Sequence, residues 1–148
     1  MKKLLIIATA IMLFFSTTAF TSIPDPVNEE VQTAFLKKFK DAENVSWKKT
    51  GELNFAYFLM DATTYFAAYN DEADLVALSR KIDLAQLPLN IVQALKEKYA
   101  ENELSATVTE MVMNGETSYY LTAENDKRIL DLKCRTNGDI EVISKTKK

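Results

Sequence analysis

The chain has 148 residues, a formal charge of −3 and a hydrophobic content of 47%, which suits one globular domain and is too apolar for a disordered chain. It contains no histidine and a single cysteine, so the usual zinc sites and the histidine-based catalytic triads are excluded. The acidic balance argues against nucleic acid as a partner.

The first segment predicts export. A basic start at residues 1–3 precedes a nearly unbroken apolar run over residues 4–15, and small residues at 16–19 match a signal peptidase site. We predict a signal peptide at residues 1–19, with a cut after Thr21 as the alternative. A membrane anchor would need roughly 20 apolar residues, which this run does not reach. A lipoprotein would need a cysteine directly after the run.

The location that follows from this leader is the periplasm or the exterior of the cell. The only cysteine is Cys134, far from the leader, so we expect no lipid anchor and no membrane span in the mature form. Alternation of apolar and polar residues places Cys134 on the same side of a strand as Leu130 and Leu132, which favours a buried small apolar residue over a reactive thiol.

A proline-containing lead-in at residues 20–26 precedes the first folded unit. Val31, Phe35 and Phe39 are four residues apart, as apolar residues on one helix face are, and predict a helix over residues 27–40. The alternation of residues after this helix predicts four strands joined by short polar turns. They are predicted over residues 45–49, 53–60, 63–69 and 75–80.

A second unit repeats this pattern about sixty residues later. Ile91, Leu95 and Tyr99 have the same spacing of four, and Pro88 suits the first turn of a helix predicted over residues 88–100. Asn-Gly pairs at 114–115 and 137–138 favour tight hairpins. Strands are predicted over residues 104–113, 117–123, 127–134 and 140–144.

Together the two units predict an α+β fold. It consists of tandem duplicated helix-plus-antiparallel-strands units, repeat one at residues 27–82 and repeat two at residues 83–148, because each helix is followed by strands connected only through short turns. Both helices are expected to pack on one face of a single antiparallel sheet.

The residues that define these units carry a resemblance. The triplet Val31, Phe35 and Phe39, the Asn-Val-Ser-Trp run at 44–47 and the Leu-Pro start of the second unit at 87–88 resemble the PepSY-like family of exported bacterial proteins. That family has a fold similar to the beta-lactamase-inhibitor protein, and its members mostly lack an established activity. The resemblance covers residues 27–148 and implies a relation to peptidase-inhibiting domains, by analogy of fold alone.

Aromatic residues on the strands are the candidate binding residues. Successive strand residues point to opposite faces, so Tyr119 and Tyr120 cannot both be core. Tyr65, Tyr69 and Tyr120 are predicted to form a binding surface on the sheet face away from the helices, because tyrosine gives much contact area at small entropic cost. Trp47 is assigned to the core, with a binding role as the alternative.

No catalytic, metal or cofactor site is predicted. The alternating Asn70, Glu72 and Asp74 lack the glycine and the distal glutamate of a calcium loop, so an ordinary turn is favoured. We expect a non-catalytic envelope module that binds a protein or peptide partner, with an inhibitory role as one form of that binding. The alternatives are a carboxylate-based hydrolase or small-ligand-binding protein, and a purely structural or self-associating role.

Overall fold

The computed structural model describes residues 27–148, so the predicted signal peptide at residues 1–19 and the lead-in at residues 20–26 lie outside the described residues. Helix α1 spans Glu29–Lys38. The Asn28 side-chain oxygen accepts a hydrogen bond from the Glu30 backbone N–H at 2.9 Å and caps the first turn. The helix is two residues shorter at each end than predicted, because Asn28 serves as the cap and Phe39 leaves the helical conformation.

Four strands follow α1 and are connected by tight turns. Gly51, Asp61 and Ala62 have positive φ values of 61°, 50° and 57° in the first two turns. In the third turn, Ala73 has a φ of 62° and the Asn70 side chain accepts a hydrogen bond from the Asp74 N–H at 2.7 Å. The strands are β1 (Glu43–Thr50), β2 (Leu53–Met60), β3 (Thr63–Asn70) and β4 (Leu75–Asp83).

The second half begins with a short 3-10 turn at Leu84–Gln86 and helix α2 at Leu89–Lys98, with Pro88 in the capping position. Both predicted Asn-Gly pairs lie in hairpins, and Asn114 and Gly115 have φ values of 53° and 79°. The strands are β5 (Glu103–Leu104), β6 (Thr107–Met113), β7 (Glu116–Asn125), β8 (Arg128–Arg135) and β9 (Ile140–Lys147).

One predicted strand is two strands in the structure. The expected strand over residues 104–113 is interrupted between β5 and β6, because Ser105 bonds across to β7. Its N–H donates to the Thr122 carbonyl at 3.0 Å, and its hydroxyl accepts from the Thr122 N–H at 3.2 Å. The Ala106 carbonyl accepts a hydrogen bond from the Leu84 N–H at 2.8 Å.

All strands belong to one antiparallel sheet in the order β1-β2-β3-β4-β6-β7-β8-β9, and β5 pairs with β7. The two halves therefore join where β4 pairs with β6. The register shifts once between β1 and β2, once between β3 and β4 and once between β8 and β9.

Both helices pack on the same side of this sheet, which we call the helix face. The predicted helix triplets are buried there, with Tyr99 partly so. Phe35 contacts Trp47 at 5.1 Å and Phe58 at 4.9 Å between ring centroids, so Trp47 belongs to the core. Around α1 lie Ala56, Phe58, Ala67 and Tyr69, and around α2 lie Val108, Tyr119, Leu121, Leu132 and Cys134.

The side chains that alternate with these lie on the other side, which we call the open face. Neither α1 nor α2 covers it. Within residues 27–148, no helix combines the length and the apolar character needed to cross a membrane.

Candidate functional site: the open face of the sheet

A row of directly opposed residues crosses the open face over seven strands. It places Phe66 beside Ser79 and Met111 at the centre of the sheet, with Tyr57 toward one end and Arg135 at the other. Ser79 and Ser118 separate the larger Phe66, Met111 and Arg135, whereas Tyr57 lies directly beside Phe66. In order the row is Ser46, Tyr57, Phe66, Ser79, Met111, Ser118 and Arg135.

Two further rows run beside the first. One is Lys48, Phe55, Ala68, Ala77, Met113 and Glu116, and the other is Lys81, Thr109, Tyr120, Lys133 and Glu141. Phe55 stacks on Phe66 with ring centroids 5.4 Å apart. The large side chains of the three rows pack together into one cluster, comprising Phe55, Phe66, Ala68, Ala77, Met111 and Tyr120, which are buried in the full-length chain.

Tyr57 is the exposed aromatic residue of this face. Its side chain is 47% exposed, and it lies directly opposite Phe66 on the neighbouring strand. Tyr57 is not one of the three predicted binding residues. The signal that could have found it is its spacing of two from Phe55, because alternate strand residues share a face.

Hydroxyl groups lie at the centre of the face, between the aromatic and sulfur-containing side chains. Ser79, Thr109 and Ser118 are all buried. The Ser79 hydroxyl has no hydrogen-bond partner within the part of the chain that the structure describes. Burial of a hydroxyl group without a hydrogen-bond partner costs free energy. This position therefore favours a ligand that brings a polar group.

Charged side chains of both signs stand around the cluster. The three rows contain Lys48, Lys81, Lys133 and Arg135 against Glu116 and Glu141. Asp83 and Asp131 lie two residues along their strands from Lys81 and Lys133 and share this face, so the charges balance. The Lys133 ammonium lies 5.9 Å from the centre of the Tyr120 ring, within cation–π range. Burial lowers the pKa of Lys81. Arg135 and Glu141 are paired at 2.9 Å.

Of the three predicted binding residues, only Tyr120 lies on the open face. It is 5% exposed and forms part of the apolar cluster. Burial, and then the charge of Glu141, raise the pKa of its hydroxyl.

Tyr65 and Tyr69 lie on the helix face, so the prediction that the three tyrosines share one exposed surface is wrong. Tyr69 is 1% exposed and packs beneath α1; burial raises the pKa of its hydroxyl to about 12. Tyr65 stacks on Phe58 at 5.6 Å and is partly buried. The physical reason is the register of β3, in which Phe66 and Ala68 take the open face.

Tyr65 instead belongs to a polar row that joins the two halves on the helix face. It lies opposite Arg80, Arg80 lies opposite Glu110, and Glu110 lies opposite Tyr119. The Arg80 guanidinium donates to the Glu110 carboxylate at 2.5 Å, and this bond raises the pKa of Arg80. The pair bridges β4 and β6, where the halves meet.

The described residues contain no group of three or more histidine, cysteine, aspartate or glutamate side chains that could hold a metal ion. In the turn after β3, the Asn70 amide donates to the Asp74 carboxylate at 3.4 Å, so these side chains bind to each other. Cys134 is fully buried, and burial raises the pKa of its thiol to about 11.

Within residues 27–148, two helices on one nine-stranded antiparallel sheet form an α+β fold of the BLIP-like type. A BLIP-like protein from Bacteroides fragilis has 18% sequence identity and a TM-score of 0.70, with 83% of this chain and 87% of that chain covered. This likeness confirms the predicted similarity to the beta-lactamase-inhibitor-protein fold.

Two further solved structures have the same fold. A DUF2874 family protein from Bacteroides uniformis is 18% identical over 81% of this chain and 88% of its own, and a candidate periplasmic protein from Bacteroides eggerthii is 15% identical over 83% and 90%. Both have a TM-score of 0.70. No protein-family model matches the sequence, and no curated protein matches it.

Proposed function

We propose that this protein is a non-catalytic envelope module that binds a protein or peptide through the open face. The observation that carries the proposal is the apolar cluster around Phe55, Phe66 and Tyr120, which lies on the face that neither α1 nor α2 covers. Contiguous apolar side chains rimmed by polar ones are typical of protein interaction sites. Tyr57, which stands exposed beside the cluster, is the kind of residue that anchors such contacts.

The location belongs to this proposal. A signal peptide at residues 1–19, cleaved without lipid attachment, would deliver the module to the periplasm or the exterior. The candidate periplasmic protein from Bacteroides eggerthii supports that placement through its shared fold.

Cleavage has a direct test. Mass spectrometry of the protein recovered from the envelope fraction should give an N-terminus at Phe20 or one or two residues later. An intact Met1 in the membrane fraction would contradict the export proposal.

We further propose that the fold arose by duplication of one unit. Each half has one helix with an apolar triplet packed on the sheet and a following set of antiparallel strands, which supports a tandem duplication of residues 27–82 and 83–148 and membership of the PepSY-like family. In that case the second helix and its strands would be equivalent to the first, and inhibition of a peptidase would be one form of the proposed binding.

Site-specific photocrosslinking in cells tests the binding surface. A benzoylphenylalanine residue placed at Tyr57 should give a discrete adduct with a partner, identified by mass spectrometry. The matched control is Leu36, which is 61% exposed on α1 and thus on the other side of the sheet. Adducts of equal yield at both positions, or none at Tyr57, would overturn the assignment of the open face.

A further inference from the structure

We infer that Asn114 is a modification site, at which the side-chain amide is lost spontaneously to give aspartate and isoaspartate. This inference is independent of the proposed binding function. It follows from a comparison of the two Asn-Gly pairs, at 114–115 and 137–138, which have the same reactive atoms in different surroundings. The fold leaves the first pair without hydrogen bonds and holds the second.

The reaction needs only the chain and water. The backbone nitrogen of Gly115 loses its proton to solvent and attacks the side-chain carbonyl carbon of Asn114. The bond from that carbon to Nδ2 breaks, and ammonia leaves. Water then opens the resulting succinimide ring at either carbonyl, which gives aspartate or isoaspartate. The two reacting groups belong to adjacent residues, so the attack is intramolecular and is favoured over direct hydrolysis of the amide.

The first pair lies at the tip of the β6–β7 hairpin. Its φ values of 53° and 79° are those of a type I′ turn, and Met113 and Glu116 are the last opposed pair of the two strands. The Asn114 side chain is exposed, and neither it nor the Gly115 N–H has a hydrogen-bond partner within residues 27–148. The attack requires the Asn114 backbone to leave the left-handed conformation, and the end of a hairpin opens at small free-energy cost.

Hydrogen bonds hold the second pair in place. The Asn137 amide donates to the Asp139 carboxylate at 2.7 Å, and its oxygen accepts from the Asp139 N–H at 3.0 Å. The Gly138 N–H, which contains the nitrogen that would attack, donates to the Arg135 carbonyl at 2.9 Å. Attack at Asn137 therefore requires the loss of several hydrogen bonds, each of which contributes to stability.

The second turn is also tied to helix α2. The Asn90 side chain donates to the Thr136 carbonyl at 2.8 Å, and its amide nitrogen would lie 3.6 Å from a Cβ atom at Gly138. At Gly115, by contrast, nothing lies within 4 Å of the equivalent position. Opening of the second turn must therefore break its contact with the helix, whereas the first turn has no such contact.

Mass spectrometry of the incubated protein tests the inference. The purified protein is kept at neutral pH for several weeks in water enriched in heavy oxygen, because a hydrolysed residue retains an oxygen atom from the solvent. We expect Asn114 to be converted at least about tenfold faster than Asn137, since opening at Asn137 breaks additional hydrogen bonds. In urea the two rates should agree within about threefold, because the contacts that distinguish the pairs are then lost.

Two variants serve as controls. Gly115→Ala should slow the conversion of Asn114 by roughly tenfold or more, because a methyl group beside the attacking nitrogen hinders its approach. Asp139→Ala should speed up the conversion of Asn137 in the folded protein and leave its rate in urea unchanged, because it removes a partner that exists only in the folded turn.

Equal rates at the two sites in the folded protein, or a faster rate at Asn137, would overturn the inference. A difference that persists in urea would also overturn it, because the difference would then arise from local sequence and not from the fold. An unchanged rate at Asn137 in the folded Asp139→Ala variant would overturn the assignment of the protection to the bonds with Asp139.

Discussion

Tyr69 is a buried core residue, although a tyrosine on a strand suggests a binding role. Its ring lies 6.5 Å from those of Phe35 and Trp47, and its hydroxyl is buried, with no hydrogen-bond partner within residues 27–148. Truncation to alanine would remove an aromatic side chain from the core, which costs about 3–5 kcal/mol for large aromatic residues. Tyr57, at 47% exposure, has no comparable role in folding.

The Tyr69 hydroxyl also makes stability depend on pH. Its pKa is about 12 in the folded chain and about 10 in the unfolded chain, so the unfolded chain loses this proton first as the pH rises. The free energy of unfolding therefore falls between pH 10 and 12, by about 2–3 kcal/mol from this group. Cys134, with a thiol pKa of about 11, adds a decline that starts nearer pH 9.

Tyr69→Phe should reduce the decline above pH 10 and raise the free energy of unfolding at pH 7 by about 1 kcal/mol, because it removes a buried hydroxyl without a partner. Urea titrations at pH 7, 9 and 11 measure both effects. A loss of stability at pH 7 would show that the hydroxyl makes a bond that stabilises the fold.

At the scale of elements, the turn between β2 and β3 places two non-glycine residues in the left-handed region. Asp61 and Ala62 have φ values of 50° and 57°, whereas the corresponding turn between β6 and β7 contains Asn114 and Gly115. Alanine in this region costs roughly 1–2 kcal/mol relative to glycine. The β2–β3 hairpin therefore forms with local strain that the packing of its strands offsets.

Ala62→Gly should raise the free energy of unfolding by about 1 kcal/mol, because glycine adopts positive φ without a steric penalty. Gly115→Ala should lower it by a similar amount, and the reason is purely conformational since nothing lies within 4 Å of the added methyl group. Equilibrium denaturation in urea measures both. Changes of the same sign in the two variants would contradict this account of the turns.

Two leucines of helix α2, one buried and one exposed, test the packing of this helix on the sheet. Leu95 is 1% exposed and Leu89 is 71% exposed. Leu95→Ala should cost about 2–5 kcal/mol, because it leaves a cavity in the core, and Leu89→Ala should change stability by less than about 0.5 kcal/mol. Similar effects of the two substitutions on the urea midpoint would refute the packing of α2 on the sheet.

Local signals explain how much of these elements could be predicted from the sequence. The spacing of Phe35 and Leu95 within their triplets and the Asn-Gly pairs depend on near neighbours only, and they predicted both helices and two hairpins. The break at Ser105 could not be predicted, because it depends on bonds to Thr122 across the sheet.

The candidate site was harder to predict than the elements for a related reason. In β3, both alternating sets are apolar, with Tyr65, Ala67 and Tyr69 on one face and Phe66 and Ala68 on the other. Such a pattern does not say which set meets a helix. Only the pairing of β3 with its neighbours decides it.

At the scale of the whole molecule, the continuous pairing of β4 with β6 makes the two halves one cooperative structure. Seven directly opposed pairs join these strands, from Ala77 and Met113 to Asp83 and Thr107. The Arg80–Glu110 ion pair crosses the same junction. Neither half can lose its strands without exposing an edge of the other.

Trp47 reports this cooperativity, because it is the only tryptophan and lies in the first half. Leu95→Ala, in the second half, should shift the urea midpoint of Trp47 fluorescence by the same amount as the midpoint of far-ultraviolet circular dichroism. If the fluorescence transition stays at the wild-type midpoint while the circular dichroism transition moves, the halves unfold independently.

The two outermost strands, β1 and β9, each carry a shift of register against their only neighbour. Such irregularities bend a strand and disrupt the regular array of free N–H and C=O groups that another chain would need for strand addition. Lys145 and Lys147 add charge along β9. The sheet is therefore protected against aggregation by edge-to-edge growth, and the proposed binding would rely on side chains that project from a face.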